Sequence, residues 1–504
     1  MGCILWKLSL VTLVAFFYTF SQQLGKVSAS TIPASSRTRV VIAGGGPAGL
    51  LVAHCLLSRG DKFHVEILES REDPRQTVAG PRSYSLGLNI RGQAAMKHFD
   101  VKSKSPGLWG SITPLGVESD SFFLHIGSNK IQLRKPEKKD ALKKNPVPPT
   151  LLIPRNKLCV GMLENLEKLY SASGRLSITF NTRLLSVDLE NKIAEFDEHR
   201  HLIKDNVRVS KSYDLIIGAD GVQSELRNAM LAEGDKEKNN SENEKSTIPT
   251  EVAVIKNQFK CEEAILPGQY KVMLQAMPPL LESDAVHAME VGKKAGYGLF
   301  LIPSPGNNTC ALLSWKGDTV PAIFQDNADP AELKASIARN YPLFGEPTDE
   351  SVAQLSAQRP SAARTVRCNR YHRAVNGQSS ALLMGDAAHS TGGTLGQGAN
   401  SALMDVVALD KCLDETADDL SAALPLFSQR QVHRNIRPYP MILSDHYFNC
   451  LLIIFIDRLV SLCFSLSLNL AQSLFDSLLL FISPTLPFIF SLHLTLSLTL
   501  FLSL

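Results

Sequence analysis

The chain has 504 residues, a formal net charge of +3 and 20% charged side chains, which suits two or three domains with a nearly balanced surface. No Lys/Arg stripe interleaved with aromatics runs along it, so nucleic acid is not an expected partner. Its nine cysteines (3, 55, 159, 261, 310, 368, 412, 450 and 463) are scattered without a CxxC or a Cys/His cluster. No metal site, disulfide scaffold or paired-thiol redox centre is therefore expected.

Residues 1–30 read as a signal peptide or signal anchor: apolar Leu8 to Phe20 follows Lys7, then come polar Ser21-Gln22-Gln23 and the small-residue stretch Val27 to Ser30. Membrane association, with an ER, secretory or plastid location, follows as an expectation. Next, Val40 to Ala43 predicts a buried parallel strand running into Gly44-Gly45-Gly46-Pro47-Ala48-Gly49, and Glu69 closes a second strand, Val65 to Leu68, twenty positions after Gly49. This is the pattern of a dinucleotide-binding unit. Gly44 and Gly46 permit a tight turn and close approach to a pyrophosphate, and Gly49 lets the helix starting near Pro47 pack on the sheet. That helix points its amides at phosphates, while Glu69 accepts hydrogen bonds from ribose hydroxyls.

Further along, Leu151 to Leu158 puts Arg155 at a strand-to-helix junction, where a guanidinium holds a phosphate or ribose or simply lies at the surface. Tyr213 to Arg227 predicts a buried strand ending in Gly218-Ala219-Asp220-Gly221. Asp220 there is either a ligand contact at a strand's carboxyl end or an ordinary Asp-Gly turn. Ala232 to Ser246 is a polar run read as an exposed loop and a boundary. Strand-like Gly298 to Ile302 and Cys310 to Trp315 predict a mixed sheet, and Pro330 to Tyr341 predicts a helix capped by Asp329. From Ser380 to Asp405 an apolar strand delivers Asp386, and a glycine-rich loop opens a helix at about Gly396 to Asn400. Amides at such a helix start suit negative charge on a reduced isoalloxazine, which favours a flavin over a nicotinamide. From Leu451 the chain turns Leu/Ser/Phe/Ile-rich, a pattern of either membrane spans or a gene-model artefact.

The expected fold class is α/β: a discontinuous Rossmann-like FAD-binding domain with an inserted mixed β-sheet substrate domain. Its expected parts are a signal segment, 1–30; FAD-binding stretches at 38–110, 151–230 and 362–449; substrate-domain stretches at 111–150 and 248–361; a polar loop, 231–247; and a hydrophobic tail, 450–504.

GGGPAG, the acidic end Glu69-Ser70-Arg71-Glu72, Pro81 to Gly87 followed by Arg91-Gly92, then Arg155, GADG, GDAAH and GQGAN resemble, in this order, the single-component FAD-dependent aromatic monooxygenases. Within this para-hydroxybenzoate hydroxylase-like group, the kynurenine hydroxylases are the most similar in pattern, from about Arg39 to Asn449. The resemblance implies that Gly44, Gly46, Ala48 and Gly49 cradle the FAD pyrophosphate, with Glu69, Ser70 and Arg71 around the adenosine ribose. It adds Gly87, Arg155 and Leu184 as cofactor contacts, Asp386 on the ribityl or ribose side, and Asp220 between FAD and pyridine-nucleotide paths. Gly396, Gly398, Ala399 and Asn400 fall by the isoalloxazine. Arg82, His389 and Tyr447 are pocket candidates.

The implied activity uses FAD, NADPH or NADH as transient reductant, and O2 to oxygenate a small substrate, aromatic by the same resemblance, through a flavin C4a-hydroperoxide, with no side-chain nucleophile and no metal. Two departures bear on it: Gly393 stands where the family carries proline, and Thr113 to His125 holds no arginine for an amino-acid carboxylate. A flavin reductase of the geranylgeranyl-reductase type and a non-catalytic flavin-binding membrane protein are the alternatives. The family also includes members at the mitochondrial outer membrane.

Overall fold

A computed structural model describes residues 37–76, 84–102, 107–134, 147–200, 205–233, 258–290, 296–317, 319–375, 377–392 and 396–436. The expected first strand forms as Thr38–Ala43 and lies inside a six-stranded sheet ordered His372–Val375, Gln378–Leu383, Leu215–Gly218, Thr38–Ala43, Phe63–Leu68 and Leu176–Thr179. All neighbours pair in parallel except the edge strand His372–Val375. Val40, Val41 and Ile42 are each no more than 2% exposed, which explains an unbroken apolar run in place of alternation: both faces of the sheet are covered. Helix Pro47–Leu57 packs on strand Phe63–Leu68 and against helices Arg155–Tyr170 and Gly398–Glu415. Sheet neighbours thus come from distant parts of the chain, as a discontinuous domain requires.

A second, seven-stranded sheet runs Ser361–Cys368, Cys261–Ala276, Asn308–Trp315, Gly298–Ser304, Val286–Glu290, Phe122–Ile126 and Asn129–Arg134. It is mixed, because Val286–Glu290 pairs in parallel with Phe122–Ile126 while the other pairs are antiparallel. Met273, Leu299, Leu313, Trp315, Phe324, Leu333 and Leu355 form its core, joining the sheet to helices Pro330–Asn340 and Asp349–Ser356. The cap expected at Asp329 forms, its Oδ1 accepting from the Ala331 amide at 3.0 Å. The strand Ser361–Cys368 pairs with Cys261–Ala276, so the inserted sheet extends past the division expected at residue 361.

Two three-stranded antiparallel sheets complete the described fold. One joins Ser85–Leu88, Thr150–Pro154 and Val117–Ser119; the other, unforeseen in sequence, joins Asp205–Ser212, Ile193–Arg200 and Thr182–Asp188. The polar run also begins later than expected. Residues 225–233 are helical, and Glu233 accepts from Arg373 Nε at 2.8 Å, which ties Ala232 and Glu233 to the fold. The expected signal segment 1–30, the rest of the polar loop, Arg82, Gly393, Tyr447 and the tail 450–504 lie outside the described residues. No helix among the described residues is long and apolar enough to cross a membrane.

Candidate functional site

At the carboxyl end of Thr38–Ala43 the chain turns at Gly44, with φ at +106°. A Cβ on Gly44 would stand 2.4 Å from the Ala219 carbonyl oxygen, and one on Gly49 only 2.0 Å from the Gly44 oxygen. Only hydrogen fits at either place. Helix Pro47–Leu57 therefore starts directly above the loop, with Gly46 at its cap, Pro47 in the first turn and no capping side chain. Its first internal bond runs from the Leu50 amide to the Gly46 carbonyl at 3.0 Å, so the amides of Ala48 and Gly49 have no partner within the helix.

Glu69 is only 9% exposed and faces this loop. Its Oε2 accepts from the Gly45 amide at 2.7 Å, while Oε1 accepts from the Arg71 amide at 2.9 Å and from Ser70 Oγ at 3.2 Å. Ser70 and Arg71 thereby aim the carboxylate. Arg155 opens its helix as the sequence implies, and its Nη2 lies 3.1 Å from where a Gly46 Cβ would be. The Arg155 cation, with burial adding, holds the Arg71 guanidinium below its ordinary value against the opposing pull of Glu69. Two guanidiniums this close to one carboxylate leave positive charge that an anion over the loop would relieve.

Asp386 sits in the turn Gly385–Ala387. Gly385, with φ at +57°, is wedged where two helices meet: a Cβ there would lie 2.9 Å from Ala402 Cβ and 3.5 Å from Ala48 Cβ. Burial raises the Asp386 carboxyl above its ordinary value, while His389 and Arg155 pull it down. Its Oδ1 is 3.6 Å from the position a Gly398 Cβ would take. Arg155 beside Gly46, the turn at Gly385 against Ala48, and Asp386 beside Gly398 therefore lead from one helix start to the other.

Helix Gly398–Glu415 carries no acidic residue in its first turn, and Gly396, with φ at +61°, sets up its approach. By helix geometry the amides of Gly398, Ala399 and Asn400 lack partners inside it. The Asn400 side chain is fully buried and turned elsewhere: Nδ2 donates to the Gly87 carbonyl at 2.8 Å, and Oδ1 accepts from the Asn89 amide at 3.1 Å. Asn400 thus clamps strand Ser85–Leu88 to the helix start, and Gly87 packs on Thr150, whose Cγ2 is 3.3 Å from its missing Cβ.

Asp220 stands just beyond strand Leu215–Gly218, with Oδ2 accepting from the Glu225 amide at 2.9 Å. Its Oδ1 is buried without a hydrogen-bond partner among the described residues, and burial raises the carboxyl. Leu184, 5% exposed, lies in the core opposite Phe196. Its strand begins at Thr182, whose amide donates to the Glu69 carbonyl at 2.8 Å.

His389 is interior, 7% exposed, stacked on Tyr371 at 5.6 Å and bonded through Nε2 to the Asp405 carboxylate. Burial alone would lower its pKa, but Asp405, with Asp386 adding, raises it above the ordinary value. A raised folded-state value means stability that is full below the unfolded value near pH 6.5 and is lost as pH climbs through the folded value. Asp405→Asn should therefore lower the melting temperature most near pH 6 and progressively less above it. Parallel thermal melts across that range test this, and a deficit that grows with pH would contradict it.

Sequence reasoning did not single out Arg227, which is 1% exposed. Its Nε and Nη2 donate to Glu263 Oε1 at 3.0 and 2.7 Å, Nη1 to the Ala387 carbonyl at 3.0 Å, and Nη2 also to the Val222 carbonyl at 2.7 Å. One guanidinium thus joins the Asp220 segment, the Asp386 turn and the seven-stranded sheet. Its place three residues before buried Met230, on the inner face of a helix, was the available signal.

Residues 37–419 match the family described as FAD binding domain. The kynurenine 3-monooxygenase of Legionella pneumophila (strain Corby) is 26% identical over 405 residues, covering 78% of this chain and 76% of that protein. That of Stenotrophomonas maltophilia (strain K279a) is 27% identical over 447 residues, covering 87% and 84%, and that of Sus scrofa is 26% identical over 409 residues, covering 79% and 73%. Among solved structures, 2-methyl-3-hydroxypyridine-5-carboxylic acid oxygenase in its tetrameric form superposes with a TM-score of 0.54 at 16% identity, over 80% of this chain and 88% of that one. P. aeruginosa PqsL in complex with 2-aminobenzoylacetate gives 0.52 at 18%, over 79% and 93%. At such identities the structures speak for the fold. The family match spans most of the chain and coincides with the glycine loop, Glu69 and the Asp386 turn: this protein belongs to the FAD binding domain family and is an FAD-dependent monooxygenase.

Proposed function

We propose that the chain takes electrons from NADPH or NADH and places one oxygen atom of O2 on a small, electron-rich aromatic substrate, as the names of its kynurenine 3-monooxygenase relatives suggest. The observation that carries this reading is the succession of Glu69 on the glycine loop, Arg155 beside Gly46, the Gly385–Asp386 turn against Ala48, and Gly398 beside Asp386, the order of groups that an extended FAD requires. Bound FAD supplies the two-electron redox centre and the activation of O2.

The chain's own residues hold and orient it. Glu69 takes the ribose hydroxyls, the amides of Ala48 and Gly49 with Arg155 take the pyrophosphate, and Asp386 takes the ribityl side. The amides of Gly398 and Ala399 present partial positive charge where a reduced ring gathers negative charge. Arg227 and the bridge between Thr365 and Thr391 hold the seven-stranded sheet against the Asp386 turn, which favours an enclosed, water-poor reaction space.

The test is reductant oxidation with and without aromatic candidates, beginning with L-kynurenine and hydroxylated pyridine carboxylates. One candidate should accelerate NADPH oxidation in air and gain the mass of one oxygen atom. Reductant oxidation that proceeds equally without O2, with a saturated double bond as product, would overturn the proposal in favour of a reductase.

A further inference from the structure

Cys261 and Cys368 are 107 positions apart, yet they face each other across two antiparallel strands in exact register, their sulfurs 3.4 Å apart as free thiols. The Asn369 amide donates to the Lys260 carbonyl at 3.0 Å, and the Cys368 amide donates to Ala388 rather than to Cys261. This marks the cysteines as a non-hydrogen-bonded pair, the antiparallel position where Cα atoms approach to about 4.5 Å and side chains lie closest. That separation falls within the range of roughly 4.4–6.8 Å that a disulfide spans, so closure needs a side-chain rotation and no strand movement.

Access and reactivity divide between the two sulfurs. Among the described residues Cys261 is the one cysteine that is not fully buried, and the Cys368 thiol donating to it, with Arg227 nearby, holds it below its ordinary pKa. Cys368 is buried, its thiol held up by Cys261 and by burial, and its sulfur lies 4.0 Å from the Ala387 carbonyl. A half-buried thiol beside a fully buried partner suits an attacking and a resolving cysteine.

We propose that Cys261 and Cys368 form a peroxide-sensitive thiol pair that closes into a cross-strand disulfide, fastening strand Ser361–Cys368 and the Asp386 turn beside it to strand Cys261–Ala276. The Cys261 thiolate attacks one oxygen of hydrogen peroxide; an S–O bond forms, the O–O bond breaks, and hydroxide leaves as water after taking a proton. Cys368 then attacks the Cys261 sulfenic sulfur; the S–S bond forms, the S–O bond breaks, and the Cys368 proton leaves with the second water. Two thiols lose two electrons and one peroxide becomes two waters. The strand is coupled to the cofactor row, because the Cys368 and Val366 amides donate to the Ala388 and Ser390 carbonyls at 3.1 and 3.0 Å. O2 reduced by the flavin without substrate oxygenation is a local peroxide source. That source alone rests on the proposed function.

The experiment adds hydrogen peroxide to the FAD-loaded full chain, so its outcome is independent of turnover. The expected result is a loss of two titratable thiols and about 2 Da, a proteolytic fragment linking Cys261 to Cys368, and full reversal by dithiothreitol. Cys261→Ser should slow thiol loss by at least about tenfold. Cys368→Ala should instead trap a sulfenic acid on Cys261 that dimedone labels. Should Cys368→Ala fail to fold, half-exposed Cys261→Ser and the wild-type fragment map still decide. Cys261 advancing to the sulfinic acid while Cys368 stays a thiol, a bridge to another cysteine, or equal reaction of Cys261→Ser and wild type would overturn the proposal.

Discussion

Gly49→Ala should yield a folded but nearly colourless protein, its FAD affinity down by at least about 100-fold, or some 2.7 kcal/mol. The added methyl would sit 2.0 Å from the Gly44 oxygen, a backbone atom that cannot step aside. Relief requires the helix start to lift from the loop, and the amides of Ala48 and Gly49 then leave the positions at which they meet a phosphate. Gly110→Ala is the control: a Cβ there meets nothing within 4 Å, and its short helix gains propensity. The ratio of flavin to protein absorbance and a fluorescence titration with FAD measure both variants. Wild-type affinity in Gly49→Ala would mean that the loop does not carry the cofactor.

The second large effect belongs to Arg227. Arg227→Met keeps the bulk and removes donors from the Ala387 and Val222 carbonyls and from Glu263. Removing one side of a buried charged network costs about 3–5 kcal/mol, and the lower end applies because the Glu263 side chain is 37% exposed and partly satisfied by water. In a fold of this size, with an unfolding entropy of about 0.8 kcal/mol/K, that should lower the melting temperature by roughly 3–5 °C. Arg227→Lys should recover little, since an ammonium cannot reach three acceptors from one planar fork. Glu263→Gln, which keeps an acceptor at a half-exposed position, should cost less than about 1 kcal/mol. Thermal melts followed by flavin release check this set. Equal losses in Glu263→Gln and Arg227→Met would show that the carbonyl bonds contribute nothing.

The parts of the site that were legible in sequence are those whose chemistry is local. Gly44, Gly46 and Gly49 announce a turn and a helix start within six residues, and Arg155 declares its junction through the apolar strand before it and the helical pattern after it. What stayed hidden depends on pairing across distance. His389 meets Asp405 because a turn and a helix fold back on each other, and Cys261 meets Cys368 because two strands 107 residues apart share a register. Spacing rules for cysteine look for neighbours in the chain, so this pair was read as scattered. Asn400 shows a subtler gap: its place at the helix start was legible, but the commitment of its amide to Gly87 and Asn89 depends on a strand more than three hundred residues earlier.

The row of groups that receives the cofactor draws on residue 44 at one end and residue 400 at the other, with Leu215–Gly218 hydrogen-bonded between strands from both halves. No receptor for FAD exists, therefore, until synthesis has passed residue 400. During translation the glycine loop waits with its uncapped amides facing water, and the parallel sheet lacks the strand Gln378–Leu383 that gives it an outer neighbour. Such non-local pairing is slow to form, so the nascent chain passes through a long interval as an unfinished apoprotein. FAD supply at the close of that interval should govern how much polypeptide survives, since ligand capture stabilises only the finished form.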